Sequence, residues 1–90
     1  MDKYELMRFR DALLENMNIC TSELRELYWN LISDVACSLK WSQIPEDTSQ
    51  LIYDRWTYLK SEMIHTSGSE ESIRRAVNVI DNAAQCCIAG

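Results

Sequence analysis

Few residues of this chain combine in the way that catalysis requires. A nucleophile needs a base within hydrogen-bond reach, and the only histidine, His65, is predicted to lie at the C-terminal end of a helix before a turn. Glu70 and Glu71 could form an acid–base pair, but an arginine follows each of them four positions later, which is the spacing of surface ion pairs. The sequence contains no phosphate-binding glycine loop, nucleophile elbow or zinc-protease motif. We therefore predict that the chain is not an enzyme.

The four cysteines are the only other reactive side chains, at Cys20, Cys37, Cys86 and Cys87. None belongs to a C-x-x-C pair, so the paired ligands of a zinc site are missing, and we predict neither a metal nor a cofactor. Three of the four fall within helical apolar patterns, and no secretory signal precedes them. We expect reduced thiols in a cytoplasmic protein. No apolar run is long enough to span a membrane.

The charge balance excludes one class of partner and favours another. Nine Lys and Arg oppose fourteen Asp and Glu, which leaves a net charge of -5. Nucleic acid requires the opposite sign, so we predict no nucleic-acid binding. An acidic surface is typical of a solvated protein, and it would also steer a basic protein partner.

Composition and periodicity predict an all-α protein. Only two Gly and one Pro occur in ninety residues, which favours one domain of helices joined by few loops. Apolar residues recur at steps of three and four over residues 3–20, 23–39, 46–64 and 70–87. We predict a compact antiparallel bundle of three to four helices spanning residues 1–90.

The connection between the first two segments is open to two interpretations. The core face of the first helix (Leu6, Phe9, Leu13, Met17 and Cys20) continues in phase to Leu24. One kinked helix over residues 3–39 is therefore compatible with the sequence. A break near residues 18–22 is favoured because one unbroken helix would exceed 35 residues, with Thr21 or Ser22 as N-cap.

The second helix has an unusually broad apolar arc. Its main face is predicted to be Leu24, Leu27, Leu31, Val35 and Leu39, with Tyr28 beside it and Ile32, Ala36 and Trp29 on one flank. A helix of this kind usually touches two neighbours, so we predict that it lies in the middle of the bundle.

The last two helices have well-defined core faces. The third, which begins at Pro45 or shortly after it, is predicted to bury Ile52, Trp56, Leu59 and Met63. The fourth is predicted to bury Ile73, Ala76, Val77, Ile80, Ala84 and Cys87. Between them, His65–Ser69 is predicted to be a turn, with Ser67 or Ser69 as N-cap.

Two sets of residues are candidates for binding. Trp29, Trp41, Tyr53 and Tyr58 lie on helix flanks or in a loop, where large amphipathic side chains either fill the edges of the core or contact a partner. Val79, Ala83 and Cys86 form a seam of small residues on the last helix. This seam would admit a helix of a second copy, or be covered by the first helix of the same chain.

By elimination, the chain is predicted to be a small acidic cytosolic protein-binding module that occludes or sequesters a protein partner. Inhibitors, immunity proteins, anti-CRISPR-like factors, anti-activators and secretion chaperones share this size and charge. The predicted mechanism is steric blocking by an aromatic patch of Trp29, Trp41 and Tyr58 with an acidic rim. The alternatives are a self-assembling structural module, in the simplest case a homodimer, and a small-ligand binder with a pocket between helices.

Overall fold

The computed structural model describes residues 3–67 and 70–87, and it places them in an all-α bundle. The four helices are α1 (Lys3–Glu15), α2 (Arg25–Ser38), α3 (Glu46–Ser67) and α4 (Glu71–Ala84). Single 3-10 turns follow α1 at Met17–Ile19 and α4 at Gln85–Cys87. These ranges contain no strand. The predicted fold class is confirmed.

The helices form a closed antiparallel ring. Each packs against the next along the chain, and α4 returns to pack against α1. The α2 helix therefore has two neighbours, α1 and α3, as its broad apolar arc predicted. The prediction that α2 lies in the middle is wrong, because the pairing of α1 with α4 closes the ring and leaves α2 at one corner.

The predicted core faces of α3 and α4 are confirmed. All ten of these residues are buried: Ile52, Trp56, Leu59, Met63, Ile73, Ala76, Val77, Ile80, Ala84 and Cys87. The rings of Phe9 and Trp56 meet edge to face across the centre of the bundle, with centroids 6.2 Å apart. This contact joins α1 to α3, so two large buried rings link opposite corners of the ring of helices.

The predicted core face of α2 needs one correction. Leu27 is 40% exposed, whereas Tyr28 is fully buried. The Tyr28 hydroxyl donates a hydrogen bond to the Leu13 carbonyl oxygen in the last turn of α1, which also accepts a bond from Asn16 N. This bond turns the face of α2 that carries Tyr28 towards α1. Leu27 is consequently displaced to the side of α2 that faces α3.

The break between α1 and α2 is confirmed, but it begins earlier than predicted. Helix α1 ends at Glu15, and α2 begins only after its N-cap residue, Leu24. Leu24 provides no side-chain cap, so the prediction that Thr21 or Ser22 caps α2 is wrong. Instead, backbone bonds of the 3-10 type shape the connection, such as Leu24 N to Thr21 O at 3.1 Å.

Helix α3 ends later than predicted. Helix α3 continues through His65 to Ser67, so these residues are helical. Ser69 lies outside the described residues. The N-cap of α4 is Glu70, which makes no side-chain cap bond, and the prediction that Ser67 caps this helix is wrong.

A polar contact ties α3 to α4 at the edge of the core. The Trp56 indole N–H donates to Asp81 Oδ1 at 3.1 Å, and Lys60 Nζ lies 3.0 Å from the same oxygen. The Trp56 side chain is fully buried, so Asp81 satisfies a donor that would otherwise lack a partner.

Replacing Asp81 with alanine is expected to lower the free energy of unfolding by about 1–3 kcal/mol, because the buried indole N–H loses its acceptor. Urea denaturation followed by circular dichroism measures this difference. Asp81→Asn is the control: it keeps an acceptor oxygen and should cost less. An alanine variant as stable as the asparagine variant would contradict a role for this bond.

Candidate partner-binding groove

An open groove runs between the outer faces of α2 and α3, and we call it the α2–α3 groove. Its floor is formed by Leu31 and Leu59, which are buried. Leu27 and Tyr58 line it from opposite helices and are 40% and 58% exposed. The groove has a volume of about 450 Å³, which is enough for one or two side chains of a partner.

Charged groups complete the lining of the α2–α3 groove. Asp34 of α2 forms an ion pair with Arg55 of α3, across the two helices. Asp54 also lines the groove and accepts a hydrogen bond from Gln50 Nε2 at 2.9 Å. The lining therefore contains two carboxylates and one guanidinium, which gives it a net negative charge. Because Asp54 has no cation among these contacts, it is available to a positively charged group of a partner.

The structure brings only one of the predicted binding aromatics, Tyr58, into this groove. Trp29 is 46% exposed, but it follows Leu27 by two positions, about 200° around the helix. It therefore points to the other flank of α2. Trp41 is 48% exposed in the segment after α2. The lining of the groove includes Tyr58 but neither Trp29 nor Trp41, so the three predicted residues do not line this groove together.

Tyr53 occupies the opposite flank of α3 from Tyr58. It is half-buried and packs against the hydrophobic core. Five positions along a helix correspond to about 140° of rotation, so the two tyrosines cannot contribute to one surface. Tyr53 thus fits the alternative that large residues fill the edges of the core.

The predicted oligomer seam is partly covered within the chain. Ala83 packs against the core, whereas Val79 is 52% exposed. Val79 lines a second concavity of about 530 Å³, together with Ile19 and Cys20 of the connection after α1. The seam therefore faces the α1 side of the bundle. The side chain of Cys86 lies outside the described residues.

The surroundings of Cys20 and His65 bear on their reactivity. Burial raises the pKa of the Cys20 thiol, and the charge of Arg25 only partly opposes this effect. A protonated, buried thiol is a poor nucleophile. His65 is exposed on the last turn of α3. Within residues 3–67 and 70–87, no three His, Cys, Asp or Glu residues are grouped so that they could hold a metal.

Two features of the groove escaped the sequence analysis. Leu27 fits the spacing of Leu24 and Leu31 as well as Tyr28 does, so periodicity alone could not exclude it from the core. The Asp34–Arg55 pair joins residues of two separate helices. Its only signal in the sequence is one acidic and one basic residue among many, which does not identify a pair.

Comparisons with protein-family models, curated proteins and solved structures found no match to this chain. In the part of the chain that the structure describes, no helix is both long and apolar enough to cross a membrane. The function is therefore argued from the groove itself.

Proposed function

We propose that this protein is a small acidic protein-binding module that occludes or sequesters a protein partner through the α2–α3 groove. One observation supports the proposal above the others. Leu27 and Tyr58 remain exposed on facing helices and line the same groove. Single exposed apolar residues are normal, but a pair flanking a groove with an apolar floor is typical of a recognition site.

The energetic contribution of the groove comes from covering these two side chains. Complete burial of a large apolar side chain stabilises by about 1.5–3 kcal/mol. Leu27 and Tyr58 each expose about half of their side-chain surface, so covering each one would contribute roughly 1 kcal/mol to the free energy of binding. Tyr58 also carries a hydroxyl that can bond to a partner, which is why tyrosine is frequent in binding hot spots.

The lining of the groove indicates the chemistry of the partner. An apolar side chain would insert between Leu27 and Tyr58, and a Lys or Arg beside it would reach Asp54. The net charge of -5 would steer a basic protein towards this chain over longer distances. Activity would follow from steric blocking of the bound surface and would require no catalytic group.

The decisive experiment is affinity capture from the native lysate, followed by measurement of the Kd of the captured protein. Tyr58→Ala and Leu27→Ser are each expected to raise that Kd about fivefold, because each removes roughly 1 kcal/mol of contact. Isothermal titration calorimetry at two salt concentrations would also test the electrostatic contribution. Weaker binding at higher salt is expected, since exposed charges are screened.

Trp29→Ala is the matched control for this experiment. It also removes a half-exposed aromatic residue, but from the other flank of α2. If Trp29→Ala weakens binding and Tyr58→Ala does not, the partner binds elsewhere and the groove proposal fails. Capture of only a second copy of the chain would support the homo-oligomeric alternative.

A further inference from the structure

We propose that this chain forms an exchanged dimer, in which α1 of each copy packs against the α2 and α4 helices of the other. The exchange would occur when the connection at residues 16–24 straightens and joins α1 to α2 in one continuous helix. This goes beyond the proposed function and uses a different part of the molecule. The α2–α3 groove lies within one copy in both forms.

The apolar pattern of α1 continues through the connection into α2. Leu13, Cys20, Leu24 and Tyr28 are buried in the monomer. Leu24 follows Leu13 by a step of eleven residues, which corresponds to a rotation of about 1,100° along a helix, only 20° from three full turns. In a straight helix these residues would therefore share one face. A continuous helix would therefore carry on one face the apolar residues that α1 and α2 now bury separately.

The connection lacks the residues that normally stop a helix. The first Pro and the first Gly of the chain are Pro45 and Gly68, well beyond it. No residue with a positive φ angle occurs in the described part of the chain. Neither Asn16 nor Leu24, the two N-cap residues here, makes a side-chain cap bond. The local sequence therefore presents no strong barrier to helix formation.

Weak local bonds and tertiary contacts hold the connection in its bent form. Asn16 N bonds to Leu13 O at 3.3 Å, and Cys20 N bonds to Met17 O at 3.2 Å. Both span three residues, where a continuous helix would form bonds spanning four with better geometry. The side chain of Asn16 also donates to Ala12 O at 2.8 Å, which favours the end of α1 at this point.

Exchange would preserve most of the monomer's packing. Helix α1 contacts α2 and α4, and in the exchanged dimer it would contact the same helices of the second copy. Only the connection changes conformation. Exchange of a helix between identical chains costs little when the exchanged helix makes the same contacts in both forms. The helix that packs against α2 and α4 in the dimer is therefore α1 of a second copy of this chain.

The test is a hinge variant that favours the straight form, Asn16→Ala, Asn18→Ala, Thr21→Ala and Ser22→Ala combined. Each replacement favours helix by roughly two- to threefold in equilibrium constant. Both chains of a dimer gain from it, so the dimer Kd is expected to fall on the order of 1,000-fold. Light scattering coupled to size exclusion separates the 10.5 kDa monomer from a species of twice that mass.

A control variant has the same residue types changed on helices that do not rearrange: Thr57→Ala, Ser61→Ala, Asn78→Ala and Asn82→Ala. All four positions are exposed on α3 or α4. Their replacement strengthens helices that are the same in both forms, so the dimer Kd should not change. If the hinge variant stays monomeric at the highest soluble concentration, or if both variants dimerise equally, the exchange proposal is overturned.

Proline at position 21 distinguishes exchange from an ordinary surface dimer. Cys20, the preceding residue, has an extended backbone (φ -83°, ψ 128°), which is the conformation that a following proline requires. Within a continuous helix, proline would instead disfavour the straight form by roughly 100-fold per chain. The hinge variant with Thr21→Pro in place of Thr21→Ala is therefore expected to be monomeric. A dimer that survives this change would overturn the proposal.

Discussion

Replacing Trp56 with alanine is expected to lower the free energy of unfolding by about 3–5 kcal/mol. Trp56 is fully buried, meets the Phe9 ring edge to face and donates to Asp81. Its removal would leave a large cavity at the point where α1, α3 and α4 meet. A domain of this length has a total stability of about 5–13 kcal/mol, so the variant would lose a large share of it.

Chemical denaturation followed by far-ultraviolet circular dichroism measures the effect. Trp29→Ala is the matched control, since it removes the same side chain from a position that is 46% exposed. This control should change the stability by less than about 1 kcal/mol. Similar denaturation midpoints for the two variants would show that Trp56 is not the centre of the core.

Tyr28 is the second residue whose replacement should have a large effect. Tyr28→Ala is expected to cost about 3–5 kcal/mol, because the ring is fully buried between α1 and α2. Tyr28→Phe keeps the ring and loses only the hydrogen bond to Leu13 O. It should cost about 1–2 kcal/mol. Equal stability of the phenylalanine variant and the native chain would mean that this bond does not orient α2.

The same hydroxyl makes stability depend on alkaline pH. Burial raises the pKa of Tyr28 above its ordinary value of 10.0, and the nearby Cys20 adds to this effect. Above pH 10 the unfolded chain therefore releases a proton that the folded chain retains. The Tyr28 contribution is complete below pH 10 and falls by about 1.4 kcal/mol per pH unit above it.

Denaturation midpoints measured between pH 9 and pH 11.5 test this dependence. The native chain should lose stability more steeply than Tyr28→Phe, which lacks the titrating group. Burial also raises the pKa of Cys20, from an ordinary value of 9.0, and this acts in the same direction. Cys20 is present in both proteins, so the difference between the two slopes isolates Tyr28. Parallel curves would contradict the assignment.

The candidate site was predictable only in part. Tyr58 was predicted as a binding residue because it lies off the core face of α3, and the structure exposes it beside a groove. Trp29 met the same criterion yet lies on another face of the molecule. A helical wheel gives the angle of a side chain about its own helix, but not which neighbouring helix that angle faces.

What the sequence determined by itself was the all-α class and the core faces of α3 and α4. These follow from local spacing, since residues three and four apart share one side of a helix whatever surrounds it. The tertiary structure alone decided whether Leu27 or Tyr28 enters the core. Both fit the apolar stripe of α2, and the hydrogen bond from Tyr28 to the end of α1 selects between them. The groove beside Leu27 exists because of that choice, which depends on contacts between residues far apart in the chain.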